Sequence, residues 1–370
     1  MLGLITKERI ALNSTLHSES GELGAPRAVS VTHERIRTLT WTIALTCGLL
    51  VSVVVSTTVG VAYIPLDEVW LITKAHILTP DAIPETKNAV IIWEIRIPRV
   101  LLGSLVGAGL SVAGVAVQAL LRNVLAEPYL IGISSGASTG AAFVLLGYGA
   151  ASSLSVNIGA YIGALLAVSL VFGIARAGGT LTAERFIFAG IIIGFAFNAL
   201  TNLLVFLSSR SHGARSVMFW MLGSLNFAKW DSLLIPLVVF LVTLVLLVLW
   251  SRKFDAIAIG DDTAHILGTN PNNFRIYSMA LVAACVASLV AVAGSIGFLG
   301  LVVPHIARRL VGANHFGVFL TSALLGSILL VWADALARTA FQPKELPIGV
   351  LTALIGTPLL LSILRKRYAK

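Results

Sequence analysis

The chain has 370 residues, 57% of them hydrophobic and only 12% charged, with a formal net charge of +9 and a mean hydropathy of +0.93. About a quarter of an ordinary soluble domain is charged, so half the usual charge is missing and a set of soluble domains is excluded. The apolar residues come in long unbroken runs, not in alternation, which excludes a membrane β-barrel and leaves an all-α bundle in lipid, where helices satisfy their own backbone.

Residues 1–40 are polar and mixed in charge, and they lack the short apolar core and cleavage site of a signal peptide. They are expected to form a mostly disordered cytoplasmic tail, with one amphipathic stretch at Glu34–Leu39. From 41 to 367 the sequence predicts one domain of ten transmembrane helices, at 41–63, 100–121, 130–148, 154–175, 186–207, 232–250, 276–294, 296–311, 316–335 and 347–364. The eighth is the weakest, because Pro304, His305, Arg308 and Arg309 interrupt it. With the N-terminus inside, cytoplasmic joints hold 17 Lys and Arg and outer joints hold 9, which predicts that both termini are cytoplasmic. The basic surplus is therefore read as membrane topology and not as a nucleic-acid surface.

The spans are rich in small residues. Gly103, Gly107 and Gly114 lie in the second and Gly132, Gly136 and Gly140 in the third, a spacing that lets helix backbones approach closely in lipid. Ser111–Gly114 in the second span echoes Ala291–Gly294 in the seventh. Spans five apart point in opposite directions, so the echo suggests two five-helix halves related as an inverted repeat. Cys47 and Cys285 both fall inside apolar runs and read as buried thiols.

Several chemistries are absent. No GxxxxGK[ST] nucleotide loop, HExxH helix or cysteine cluster occurs. No carboxylate falls at the middle of a predicted span, which argues against an ion-driven transporter and against an intramembrane hydrolase. Asp334, at the outer end of the ninth span, reads as a helix cap or ion-pair partner. Gln118 and Asn198 are the notable polar residues within spans, suited either to helix–helix hydrogen bonds or to lining a pathway.

Two joints carry structure of their own. In the long cytoplasmic joint from Ser251 to Arg275, Gly260 precedes Asp261 and Asp262, which begin a short helical pattern with acids at its N-terminus. Ala264, Ile266 and Leu267 give it an apolar face, and Gly268 is placed to end it. A helix this short needs a support, either its own bundle or a partner's groove. On the outer side Arg96 and Arg99 stand at the mouth of the second span, with Pro98 in its first turn, and Arg338 and Lys344 lie on another outer joint. Arginines there suit fork-like pairing with carboxylates or anchorage among lipid headgroups. The aromatic-rich joint Arg215–Trp230 reads as belt residues or as an interfacial half-helix near a pore mouth.

Taken together, IRIPR (95–99), GAGLSVAGVAVQALLRNVLAEPYLIGISSGA (107–137), FWMLGSL (219–225), GDDTAHILG (260–268), GSIGFLGLVVPHIARRLVG (294–312), ADALAR (333–338) and ELPIGVLTALIGTPLLL (345–361) resemble the permease family of binding-protein-dependent ABC importers for iron–siderophore complexes, haem and cobalamin. The chain has Asn123-Val-Leu-Ala-Glu-Pro128 where the family has NPLAEP. The resemblance implies a ten-helix permease subunit paired with a second permease subunit, two cytoplasmic ATPase subunits that carry ATP and Mg, and an extracytoplasmic binding protein. The chain itself would bind no cofactor and perform no bond chemistry. Residues Gly260, Asp261, Asp262, Ala264, Leu267 and Gly268 match the helix that docks on the ATPase. Arg96, Arg99 and Arg338 match positions that pair with binding-protein carboxylates. Asn198 and Leu203 are candidates for the pathway at the dimer axis. The cargo expected is an iron chelate, a ferric siderophore ahead of haem or cobalamin. The rival from another class is a gradient-driven secondary transporter.

Overall fold

A computed structural model describes residues 27–60, 64–79, 86–147, 152–177, 182–208, 211–342 and 344–368, and among these every regular element is helical. The helices are α1 (Arg27–Thr58), α2 (Leu66–Leu78), α3 (Lys87–Leu120, with a π-helical stretch at Ile91–Arg96), α4 (Ile133–Gly147), α5 (Ser153–Arg176), α6 (Ala183–Leu207) and α7 (Ser211–Met221). They continue with α8 (Trp230–Leu249), α9 (Ser251–Ile259), α10 (Asp261–Ile266), α11 (Pro271–Ala293), α12 (Leu299–Val311), α13 (His315–Thr339) and α14 (Ile348–Tyr368). The end of the bundle at which α1 begins is called here the near end, and the other the far end.

Each of the ten predicted spans coincides with a helix, but their lengths divide them. Seven, namely α1, α3, α5, α6, α8, α11 and α13, are long and apolar enough to cross a membrane. The third and eighth predicted spans form α4 and α12, of 15 and 13 residues. At 1.5 Å per residue these span about 20 Å, short of a bilayer core of about 30 Å. Both halves thus set a short helix between two long ones, α3–α4–α5 and α11–α12–α13. The four-residue echo does not share in that pattern: Gly114 lies inside α3, whereas Gly294 ends α11 with φ +68°.

The tail boundary at residue 40 is corrected. Residues 1–26 lie outside the described residues, but Arg27–Thr40 is helical and runs unbroken into the first span. Arg37 and Thr38 of this extension lie against Gly312 and Gly317 at the α12–α13 turn, which supplies the packing a polar helix needs. Its other end is also earlier than expected, at Thr58 and not 63.

The core is built around α3, which is buried along nearly its whole length between Pro98 and Leu120. Close approach by glycine makes this possible. A Cβ at Gly107 would strike the backbone of Gly326 in α13, one at Gly114 would strike Gly300 in α12, and one at Gly140 in α4 would strike Gly159 in α5. Lipid tails are as apolar as the helices, so such contact packing, and not water exclusion, is what associates them. Cys285 is buried as expected, but Cys47 is exposed on the bundle's outer surface.

Replacing Gly114 or Gly140 with Val is expected to abolish recovery of monodisperse protein in mild detergent. The contrasting change is Gly173→Ala, at an exposed helical site with nothing within 4 Å of the new methyl. It should be neutral or stabilising by about 0.5–1 kcal/mol, read by thermal unfolding.

Candidate functional site: a coupled near-end helix and a far-end charge cluster

At the near end, α9 and α10 fold the joint between α8 and α11 into a bracket. Gly268, with φ +76°, ends α10, and the Thr269 amide donates to the Ala264 carbonyl at 2.8 Å, closing the turn. The apolar face predicted for this helix is divided. Ala264 is fully buried against the bundle, whereas Ile266 and Leu267 are 85% and 65% exposed. One of the two supports considered for so short a helix, its own bundle, is present, and the other face points outward with its two largest apolar side chains. Asp262 is exposed at its first turn.

Asp261 locks the helix to the spans. Arg275, at the start of α11, donates to Asp261 Oδ1 and Oδ2 at 2.8 and 3.0 Å. Its Nε also donates to the Leu120 carbonyl at the end of α3, at 3.2 Å. Arg122, just past α3, pairs with Asp261 from the other side and donates to the Ile257 carbonyl of α9 at 2.9 Å. One carboxylate thus ties α10 to the ends of α3 and α11. Hydrogen bonds from Arg275, then the charges of Arg275 and Arg122, hold the Asp261 carboxyl below the usual carboxylate range.

At the far end the three expected arginines converge, though not on the surface. Arg99 donates through Nε to Asp334 Oδ1 at 2.9 Å and through Nη2 to Glu345 Oε2 at 3.0 Å. Arg338 pairs with the other oxygen of Asp334 at 3.0 Å. It also donates to the Val59 carbonyl at 2.8 Å and to Ser56 Oγ at 2.9 Å. Arg96 donates to the carbonyls of Thr57 and Thr58 at 2.8 and 3.0 Å. Arg96 and Arg338 therefore cap the last turn of α1, whose carbonyls have no partner within the helix. Arg96, Arg99 and Arg338 are only 5%, 6% and 4% exposed. They lie beneath the surface expected of them, with internal acceptors for their donors. Asp334, 1% exposed, is the ion-pair partner foreseen for it, and the partly exposed member of the cluster is Glu345.

Beside this cluster lies a cavity of about 560 Å³, walled by Asn157 of α5, Phe219 and Trp220 of α7, Asn226, Glu345 and Pro347. The first part of the Arg215–Trp230 joint is helical, within α7. Ile348 and Gly349 amides donate to the carbonyls of Gly223 and Leu222 at 3.1 Å each, which pins the start of α14 to the end of α7.

The polar residues within spans separate. Gln118 is 3% exposed; it donates to the carbonyls of Gly300 and Leu301 and accepts from Arg308 Nη1 at 2.7 Å, so it joins helices. Asn198 is exposed on α6, as is Leu203, which is 50% exposed. Sequence reasoning passed over Asn202, one turn beyond Asn198 on the same exposed stripe; the i, i+4 amide pair was the available signal. It also passed over Glu127, which accepts the Phe298 amide at 2.8 Å. That contact holds Phe298 at φ +70° at the start of α12, and nothing local in the sequence announces it.

This architecture, a glycine-packed helical bundle with a bracket of short helices at one end, is that of a membrane transport subunit. A model of the FecCD transport family matches residues 48–366, and the chain belongs to that family, the permeases of ABC importers. It is 40% identical over 283 residues to the hemin transport system permease protein HmuU of Yersinia pestis, covering 75% of this chain and 84% of the relative. It is 38% identical over 283 residues to the Fe(3+)-citrate import system permease protein YfmD of Bacillus subtilis, covering 76% and 83%. Over 330 residues it is 36% identical to the vitamin B12 import system permease protein BtuC of Klebsiella pneumoniae, covering 89% and 94%. The fold is similar to a solved inward-facing conformation of a metal-chelate type ABC transporter, with a TM-score of 0.77 and 30% identity over 88% of this chain and 98% of that one.

Asp334→Ala, which strands two buried guanidiniums, should cost about 3–5 kcal/mol, whereas Glu345→Gln, at a partly exposed site, should cost about 1 kcal/mol. Denaturant titration in detergent reads both. The Asp261 contribution should follow the sign of a depressed carboxylate: complete at neutral pH, and lost as pH falls through its lowered folded value. The stability gap between the natural chain and Asp261→Asn should therefore stay constant down to about pH 4 and close below it.

Proposed function

We propose that this chain is the membrane-spanning permease subunit of an ATP-driven importer that carries an iron chelate inward, a ferric siderophore ahead of haem or cobalamin. In this reading two copies form a homodimer in the bacterial cytoplasmic membrane, with both termini and the near end in the cytoplasm. Two ATPase subunits bind the near end and hold ATP and Mg, and a binding protein delivers the chelate at the far end. The relatives named for hemin, Fe(3+)-citrate and vitamin B12 support a metal chelate as the cargo class.

The observation that carries the proposal is the α10 bracket. Its outward face, Ile266 and Leu267, is apolar and suited to an ATPase groove, while its inward side is bound through Asp261 to the ends of α3 and α11. A displacement imposed on α10 is then a displacement of two spans. Nucleotide supplies the differential energy that a change between outward- and inward-facing forms requires. Asn198 and Asn202 are exposed on a helix that crosses the membrane, where contact with lipid is costly. They support α6 as the face turned to the second subunit, where the chelate passes, with Leu203 beside them. Glu345 and the rim of the 560 Å³ cavity are the groups a binding protein reaches, with Arg96, Arg99 and Arg338 framing that surface from beneath.

Leu267→Asp is expected to release the ATPase subunit when the complex is purified from native membranes, with the permease itself folded and at normal yield. ATP-dependent uptake of ferric siderophore into proteoliposomes should fall at least tenfold. Full retention of the ATPase by this variant refutes the role of α10. Uptake by the chain alone under an ion gradient, with no ATPase copurifying, supports the gradient-driven rival instead.

A further inference from the structure

Helix α2 has no role in the reading above, and its two faces are unlike. Val69, Ile72 and Ala75 are buried, and Val69 and Ile72 form with Ile64, Ala89 and Ile92 a small apolar cluster separate from the main core. The opposite face presents Trp70, Leu71, Ile77 and Leu78, which are 69%, 58%, 64% and 67% exposed, with the exposed Lys74 among them. Four large apolar side chains on a 13-residue helix would be an aggregation hazard in water.

The depth of α2 follows from an aromatic stack. His76 lies on Trp93, with ring centroids 4.3 Å apart and planes 18° apart. Trp93 in turn meets Trp230, at 5.0 Å. The Trp230 indole donates to the Trp93 carbonyl at 2.9 Å. Trp230 is the first residue of α8, a 20-residue apolar span, so it marks the level at which that span leaves the hydrocarbon. The C-terminal half of α2 sits at this level, two ring contacts away. The same height is fixed from α1, since Ile64, just ahead of α2, donates to the Thr58 carbonyl at the far end of that span.

We propose that α2 is a membrane-interface anchor: it lies in the headgroup layer of the far-end leaflet and buries its Trp70–Leu71–Ile77–Leu78 face in phospholipid. The composition fits that occupant. Tryptophan prefers the interface, a lysine in the same face keeps its ammonium among phosphates while its stem covers apolar surface, and a short helix with one apolar flank lies flat on a bilayer. The anchored helix would brace the end of α1 and the π-helical stretch that carries Arg96, fixing the height of the charge cluster relative to the membrane.

The test is spin-label accessibility in the full chain reconstituted in phospholipid nanodiscs. Single cysteines are introduced by W70C, I77C and, for comparison, D262C at the exposed first turn of α10, in a C47S/C285S background. Labels at 70 and 77 are expected to collide with oxygen at least threefold more than with aqueous nickel chelate, and the label at 262 to show the reverse. Nickel collisions dominating at 70 and 77 would place this face in water and overturn the proposal. Protection from both reagents would show a protein covering the face and overturn it equally. Hydroxyl-radical footprinting of the unsubstituted chain guards against misfolded variants: Trp70 in nanodiscs should be oxidised at least tenfold more slowly than in a free peptide of residues 66–78, and equal rates count against the anchor.

Discussion

Backbone contact between helices is the constraint on which the rest of this structure depends. In water a helix with an apolar stripe is driven against its neighbours by exclusion of solvent, but in lipid that drive vanishes and only contact quality remains. Gly107, Gly114 and Gly326 let α3 touch α12 and α13 backbone to backbone, and Gly136, Gly140, Gly159 and Gly163 do the same for α4 and α5. Where helices approach so closely, little room is left for polar side chains. Gln118, which does enter, is held by the carbonyls of Gly300 and Leu301 and by Arg308. The bundle is a set of near-rigid bodies joined at glycines, with polar clusters confined to its two ends.

The positions of the helices were legible because hydropathy in a membrane chain is a one-dimensional signal. Spans of about 20 residues stand out, and eight of the ten predicted spans begin within five residues of a helix start. Helix length was less legible. The sequence from Pro128 to Gly147 carries no charge, but its first part is a 3-10 turn and only 15 residues form α4. Gly132, at φ +75°, breaks the helix there, and hydropathy does not register a backbone angle. Helix α2 escaped notice because 13 residues are too few for a span.

The short near-end helix was legible in the sequence and the burial of the far-end arginines was not, for a reason in the chemistry of arginine. The glycines and paired acids of 260–268 carry a local signal for a short capped helix, and the structure places α10 there. For Arg96, Arg99 and Arg338 the sequence specifies the charge but not its partner. The acceptors are the carbonyls of Ser56–Val59, which no residue type encodes, and the carboxylates of Asp334 and Glu345, which come more than 200 residues after Arg99. Five donors in a planar fork satisfy helix-end carbonyls as readily as a partner's carboxylates. A position at the mouth of a span is compatible with both uses, and the three-dimensional fold decides between them.

Helix α3 connects the two ends. From Arg99 in the far-end cluster it runs about 33 Å to Leu120, whose carbonyl accepts from Arg275. Asp261 stands at one end of this rod and Asp334 at the other, each bridging two arginines. A bidentate pair transmits a push and a pull alike, unlike apolar contact, which slides. A carboxylate clamp thus stands at each end of α3, with backbone contact along its length between them. The single irregularity is the π-helical turn at Ile91–Arg96. It lies beyond the clamp, where α3 meets α2 and the last turn of α1. A π-bulge is a usual place for a helix to change direction, and here it sets the angle at which α3 enters the cluster from α2.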